Sequence, residues 1–273
     1  MWLRGRGRET AMSARRIQSP KPPGASPGAN ALWLFDFDNT LALLESEVDW
    51  AASRRELEAF LTTTRVAGDL LEQFPIGNLL LYDALRSRLL ASGAACDTAD
   101  ARAILTRASA IIEKHELAGV DRAAPAQGAL DLLRSLEANG IPIAIVTSNC
   151  SRTVARWIGR NRVASAIRAI VGRDTMLPLK PAPDMVERAL KVCGVAAAST
   201  VLAGDSVADL KSAAAAGVRF YGVAIRRASR GALIAAGAAE VFSSPAALGR
   251  HLDLLHRTAA LIEPPLARVR AAK

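Results

Sequence analysis

The apolar and polar positions of this chain fall into blocks of different texture. Residues 1–31 show no periodicity and are rich in Arg, Pro, Gly and Ser, a composition expected to stay disordered. Leu32-Trp33-Leu34-Phe35 then forms an apolar run of the kind buried on both faces of a parallel sheet, and it ends abruptly in Asp36 and Asp38. From about Leu44 to Ala124 the spacing becomes helical. Val48, Ala51 and Ala52 lead to Leu57, Phe60 and Leu61, and Leu79–Ala91 brings Leu80, Ala84, Leu85 and Leu89 into register. Thr98–Leu117, behind an N-cap at Asp97, runs through Ile104, Leu105, Ala108, Ile111 and Ile112. No strand-like alternation interrupts these residues, which read as a helical unit inserted straight after the first strand.

After Pro125 strands and helices alternate. A helix over Gln127–Asn139 closes at Gly140, strand Ile143–Thr147 follows, and a helix runs from about Ser151 to Gly159. Strand Ala166–Val171 leads into the loop Gly172–Pro183, and helix Asp184–Cys193 stops at Gly194. Strand Thr200–Ala203 precedes Gly204-Asp205, helix Val207–Ala216 stops at Gly217, and short strands near Phe220–Ile225 and Glu240–Phe242 finish the body. Such alternation implies an α/β fold, a doubly wound Rossmann-like parallel sheet with its site at the carboxyl ends of the strands. The expected organisation is a core of residues 32–43 plus 125–255, an all-helical cap at 44–124, a basic N-terminal arm at 1–31 and a basic tail at 256–273.

A net charge of +9 suggests a polyanion partner until it is located. Residues 1–31 hold six Lys/Arg against one acid, and residues 256–273 hold four against one, so the body between them is nearly neutral. The arm is expected to touch polyanions weakly, and no aromatic-interleaved basic face supports specific nucleic-acid recognition. Its Arg-rich, acid-poor start faintly resembles an organelle transit peptide; a start of translation at Met12 is the alternative. No apolar run approaches the roughly 20 residues of a membrane span, so a soluble, cytoplasmic protein is expected. Cys96, Cys150 and Cys193 are odd in number and widely spaced, and His115, His251 and His256 form no ligand cluster, which favours a reducing compartment.

Polar residues stand just past strand ends at four places. Side chains at i and i+2 of an extended segment point the same way, so Asp36 and Asp38 are expected to share one small volume. That is tolerable when a metal ion neutralises them or one keeps its proton. Thr147-Ser148-Asn149 leads directly into a helix, whose N-terminus offers an anion site; an ordinary Ser/Asn cap is the alternative. Lys180 is held between Leu179 and Pro181-Ala182-Pro183, suited to placing a point charge on a phosphate, or else a solvated loop lysine. Gly204-Asp205-Ser206, with Asp209 beyond, supplies hard oxygen ligands suited to Mg²⁺, or a helix cap. Cys150 is read as a small packed residue rather than a nucleophile.

In this order, and all on strand ends, these motifs resemble the haloacid dehalogenase-like hydrolase superfamily over residues 32 to about 250, in layout its phosphoglycolate phosphatase-like branch with a helical cap after the first motif. Asp36-Phe37-Asp38-Asn39-Thr40 matches the first motif, Thr147 the second, Lys180 the third, and Gly204-Asp205 with Asp209 the fourth. The resemblance implies Asp36 as nucleophile forming an aspartyl-phosphate and Asp38 as general acid and base. It implies Thr147, Ser148 and Lys180 on the phosphate. It also implies Mg²⁺ held by the Asp36 and Asp205 carboxylates and the Asp38 carbonyl, with Asp209 reaching the ion through water. The expected partner is a small phosphorylated metabolite, with no membrane; oligomeric state stays open. A sugar phosphomutase or a non-catalytic phosphate-binding module remain alternatives. Arg65, Asn78, Tyr82 and Arg86 are the cap residues expected from their polarity to face the crevice, an exposed charged helix face explaining the two arginines equally well.

Overall fold

A computed structural model describes residues 32–64, 66, 68–91, 98–165 and 167–262, with backbone only at 98 and 254–262. The expected disordered arm, the Asp97 cap, Arg65, Ala166, Cys96, the His256 side chain and most of the basic tail therefore lie outside the described residues or side chains. Strands β1 (Leu32–Phe35), β2 (Ile143–Val146), β3 (Ile167–Val171), β4 (Thr200–Gly204), β5 (Arg219–Val223) and β6 (Val241–Phe242) form a parallel sheet in the order β3-β2-β1-β4-β5-β6. The order reverses beside β1, so the crevice of a doubly wound sheet opens where Asp36 leaves that strand.

β1, β2 and β4 are buried at every residue, as continuous apolar runs require. Their alternation sorts side chains onto two faces. Trp33, Phe35, Ile143, Ile145, Val201 and Tyr221 pack with α5 (Ala129–Ala138), α6 (Ser151–Asn161) and α10 (Pro245–Ile262). Leu32, Leu34, Ala144, Val146, Leu202 and Phe220 pack with α7 (Asp184–Cys193), α8 (Val207–Ala215) and α9 (Arg227–Ala235). Neither α9 nor α10 was expected from the sequence. α9 buries only Leu233 and so carries no apolar stripe, whereas the stripe of α10, Leu248 and Leu252, follows a two-residue strand that masks the rhythm.

Between β1 and α5 the described residues form α1 (Trp50–Thr62), α2 (Leu70–Gln73), α3 (Asn78–Leu90) and α4 (Thr98–Val120). Asp49 caps α1, its carboxylate accepting from Ala52 N at 2.8 Å. Where this insertion leaves and rejoins the core its two connections pair, Leu43 N donating to Ala124 O and Ala126 N to Leu41 O, both at 2.9 Å. The insertion is thus hung on a two-stranded neck directly beside Asp38. No helix among the described residues is long and apolar enough to cross a membrane.

Candidate active site

The carboxyl ends of β1 and β4 and the loop before α7 meet in one buried cluster. Lys180 Nζ donates to Asp36 Oδ1 at 2.6 Å, to Asp209 Oδ1 at 2.5 Å and to Val146 O at 3.0 Å. Those acceptors match the three protons of its ammonium group. Thr40 Oγ1 donates to the other Asp36 oxygen at 3.1 Å. Asp209 is clamped from its own helix start: Ser206 N and Oγ donate to its Oδ2, while Ser206 Oγ accepts from Asp209 N at 3.2 Å, a reciprocal capping box. Gly204 has to be glycine here, since a Cβ would stand 2.6 Å from Asp209 Cγ.

Asp36, Asp205 and Asp209 each present a carboxylate oxygen, all within 4.8 Å of one another and all on buried residues. Burial, before any neighbouring charge, pushes the Asp36 and Asp205 carboxyls upward; Asp209 adds to this for both, and Lys180 opposes it. Lys180 keeps its proton firmly: desolvation works against the charge, and Asp209 and Asp36 outweigh it. One cation among three converging acids leaves an anionic hollow of hard oxygen donors, which fits a small divalent ion.

Asp38 belongs to a different local network. Its Oδ1 accepts from Leu44 N at 3.0 Å and Glu45 N at 2.8 Å, so its carboxylate faces the neck of the insertion, outside the three-acid cluster. Burial raises it to about 7, with the charges of Asp36 and Glu45 adding and those two amides opposing. Of the two conditions set by the sequence for a tolerable pair of acids, the retained proton is available at Asp38. Asn39, directly after Asp38, turns the chain at φ 60°, a left-handed conformation that Asn tolerates, and its side chain donates to Glu45 at 2.7 Å. Arg226, after β5, also pairs with Glu45 at the mouth.

The Thr147–Asn149 turn follows β2 as expected, yet the N-terminus of α6 is not the open anion site anticipated. Cys150 N donates to Glu116 Oε2 at 3.1 Å and Ser151 N to Asp174 Oδ1 at 2.7 Å. The protein's own carboxylates take these amides. Cys150 is buried, and burial pushes its thiol up to about 12, in keeping with a packed residue.

Three of the expected crevice residues are engaged elsewhere. Asn78 ties α3 to α1 by donating to Trp50 O at 3.2 Å, Arg86 pairs with Asp83 at 2.8 Å, and the buried Tyr82 ring lies 5.8 Å from the Arg173 guanidinium. Sequence reasoning missed Glu116 and Arg173, both fully buried. Glu116 had a legible signal: it interrupts the buried stripe Leu105, Ala108, Ile112 and Val120 of α4. Arg173 sits in a loop without periodicity and had none.

A model of the haloacid dehalogenase-like hydrolases matches residues 90–223. A phosphoglycolate phosphatase of Pseudomonas putida is 30% identical over 205 residues, covering 74% of this chain and 71% of the relative. The chain belongs to the haloacid dehalogenase-like hydrolases. Within them it is similar to the phosphoglycolate phosphatases, that of Pseudomonas fluorescens also being 30% identical over 67% of the relative. The solved structure of CbbY from Rhodobacter sphaeroides in complex with phosphate shares the fold at a TM-score of 0.56 and 23% identity, over 82% of this chain and 99% of that one.

Proposed function

We propose that this phosphatase hydrolyses small phosphomonoesters of the phosphoglycolate kind through a covalent intermediate on Asp36, with Mg²⁺ as its metal. The observation that carries this reading is the convergence of Asp36, Asp205 and Asp209 with Lys180, brought from separate strand ends into one buried hollow. Asp36, Asp205 and the Asp38 carbonyl would hold the ion, with Asp209 beside them. When bound, it offsets the carboxylate charge and that of the phosphoryl oxygens.

In the first half-reaction an Asp36 carboxylate oxygen attacks phosphorus; the new O–P bond forms as the ester P–O bond breaks. Asp38, part-protonated at neutral pH because burial raises it to about 7, delivers its proton to the departing alkoxide. In the second, Asp38 takes a proton from water as it attacks the aspartyl-phosphate, releasing inorganic phosphate and restoring Asp36. Lys180 and the Thr147–Ser148 turn gather the phosphate oxygens, where positioned charge does most of the catalysis. The relatives named phosphoglycolate phosphatase support a phosphorylated carboxylic acid as substrate.

Purified protein with Mg²⁺ is expected to release inorganic phosphate from an aryl phosphate and from 2-phosphoglycolate. Asp36→Asn is expected to abolish that release while leaving the fold intact. Undiminished turnover by the variant, or transfer of phosphate within a sugar in place of release, would overturn the proposal.

A further inference from the structure

Glu116 and Arg173 exchange places across the joint between insertion and core. Glu116 is carried by α4, yet its donors are core groups. Asn149 Nδ2 donates to it at 3.1 Å, Cys150 N at 3.1 Å, Thr153 Oγ1 at 3.1 Å, and Arg173 Nη1 and Nη2 at 2.8 and 3.3 Å. Arg173 belongs to the core, just beyond β3, and reaches the other way. Its Nε donates to Ser109 Oγ at 3.2 Å and its Nη2 to Ser109 O at 3.3 Å, both on α4. Neither side chain is exposed at all.

A fully buried ion pair is a weak source of stability, because desolvating both charges consumes most of their attraction. The groups that it touches suggest a different role. Arg173 Nη1 donates to Ser148 O at 2.8 Å, and Glu116 takes the side chain of Asn149 and the amide of Cys150, three consecutive residues behind Thr147. Because the Asn149 amino group is committed to Glu116, its carbonyl oxygen is turned to Thr147, whose hydroxyl donates to it at 3.0 Å. The same hydroxyl accepts from Asn149 N at 3.1 Å. β3 passes close enough to hold this turn only because residue 172 is glycine, where a Cβ would stand 2.7 Å from Ser151 N.

We propose that Glu116 and Arg173 are positioning residues for phosphate binding: seating α4 against the core, through their buried pair and Asn149, fixes the backbone of the Thr147–Ser148 turn and so aims Ser148 at the phosphate. This rests on the reading of that turn given above. The phosphate cradle is then assembled from both sides of the joint, and its geometry follows the seat of the insertion.

The test separates positioning from a mere structural tie. Asn149→Ala cuts the relay and leaves the ion pair whole. Glu116→Leu with Arg173→Met replaces the pair by apolar groups of similar bulk, a swap that buried pairs often tolerate without loss of stability. Thermal unfolding, kcat and KM on an aryl phosphate with Mg²⁺, and the Kd of inorganic phosphate are measured for each. Asn149→Ala is expected to melt only a few degrees lower, because it takes one of several donors from the buried Glu116 carboxylate, while kcat/KM falls about 10- to 100-fold, the cost of a displacement of about 1 Å. Inorganic phosphate is expected to bind weaker by a similar factor. The double variant is expected to fold and to show the same loss. Wild-type kcat/KM and phosphate affinity in Asn149→Ala, or in a folded double variant, would overturn the proposal. Wild-type protein that binds no phosphate with Mg²⁺ would overturn the reading of the turn and this inference together.

Discussion

Replacing Lys180 by Met removes the cation from a hollow that keeps its acids. Its contacts to Asp36 and Asp209, at 2.6 and 2.5 Å, each contribute roughly 6 kcal/mol of attraction at an effective dielectric of about 20. Taking the ammonium and both carboxylates out of water offsets most of that attraction, and removing one partner of such a buried network costs about 3–5 kcal/mol. In a chain of this size that lowers the melting temperature by about 6–20 °C. The loss is also pH-dependent. Lys180 is a charge that holds the carboxyls of Asp36 and Asp205 down, so without it they rise further above the value of 3.8 of an unperturbed aspartate. Acids raised in the folded state stabilise it only while protonated, and that contribution fades as pH climbs through their folded pKa. Lys180→Met is therefore expected to be mildly destabilised near pH 5 and fully so near pH 8. Urea unfolding in EDTA at the two pH values measures this, and added Mg²⁺ is expected to recover part of the loss. Turnover is expected to fall about 10²- to 10³-fold, as when one preorganised donor to a reacting oxyanion is lost. Equal destabilisation at both pH values, or unchanged turnover, would refute the electrostatic account of the cluster.

The metal-free wild type follows the same logic. With Asp36 and Asp205 raised and Asp38 at about 7, its stability is expected to decline as pH rises from about 5 to about 8. Over that window Mg²⁺ is expected to stabilise increasingly and to release protons on binding, read by calorimetry in buffers of different ionisation enthalpy; pH-independent binding without proton release would contradict it. Gly204→Ala puts a Cβ 2.6 Å from Asp209 Cγ and pushes that carboxylate off Lys180, with an expected cost of about 1–3 kcal/mol. Weaker Mg²⁺ binding is expected to accompany it, and an unchanged melting curve and metal affinity would show that Asp209 has room to move.

The strands were legible because a strand covered on both faces must be apolar throughout, as Leu32–Phe35 and Ile143–Val146 are. Helices α7 and α8 were legible by their stripes and by Gly194 and Gly217, both in the left-handed conformation that ends a helix. Helix α9 was not, because it lies half-exposed on the sheet edge with a single buried residue. At the site, strand ends flagged Asp36, Thr147 and Asp205. The direction taken by Asp38, toward Leu44 N and Glu45 N, was not readable, since it depends on the neck of the insertion folding back.

Sequence by itself determined the strands and most of the helices, the insertion after β1, and the acids, hydroxyl and lysine offered at the strand ends, because spacing along the chain records which faces must leave water. Only the tertiary structure decided that Lys180 is already held by Asp36 and Asp209, and that the N-terminus of α6 is closed by Glu116. It also paired Glu116 with Arg173, 57 residues further along the chain. Periodicity shows that a residue is buried; which charge meets it there is set by how separate elements pack, a relation between distant positions that local spacing does not carry.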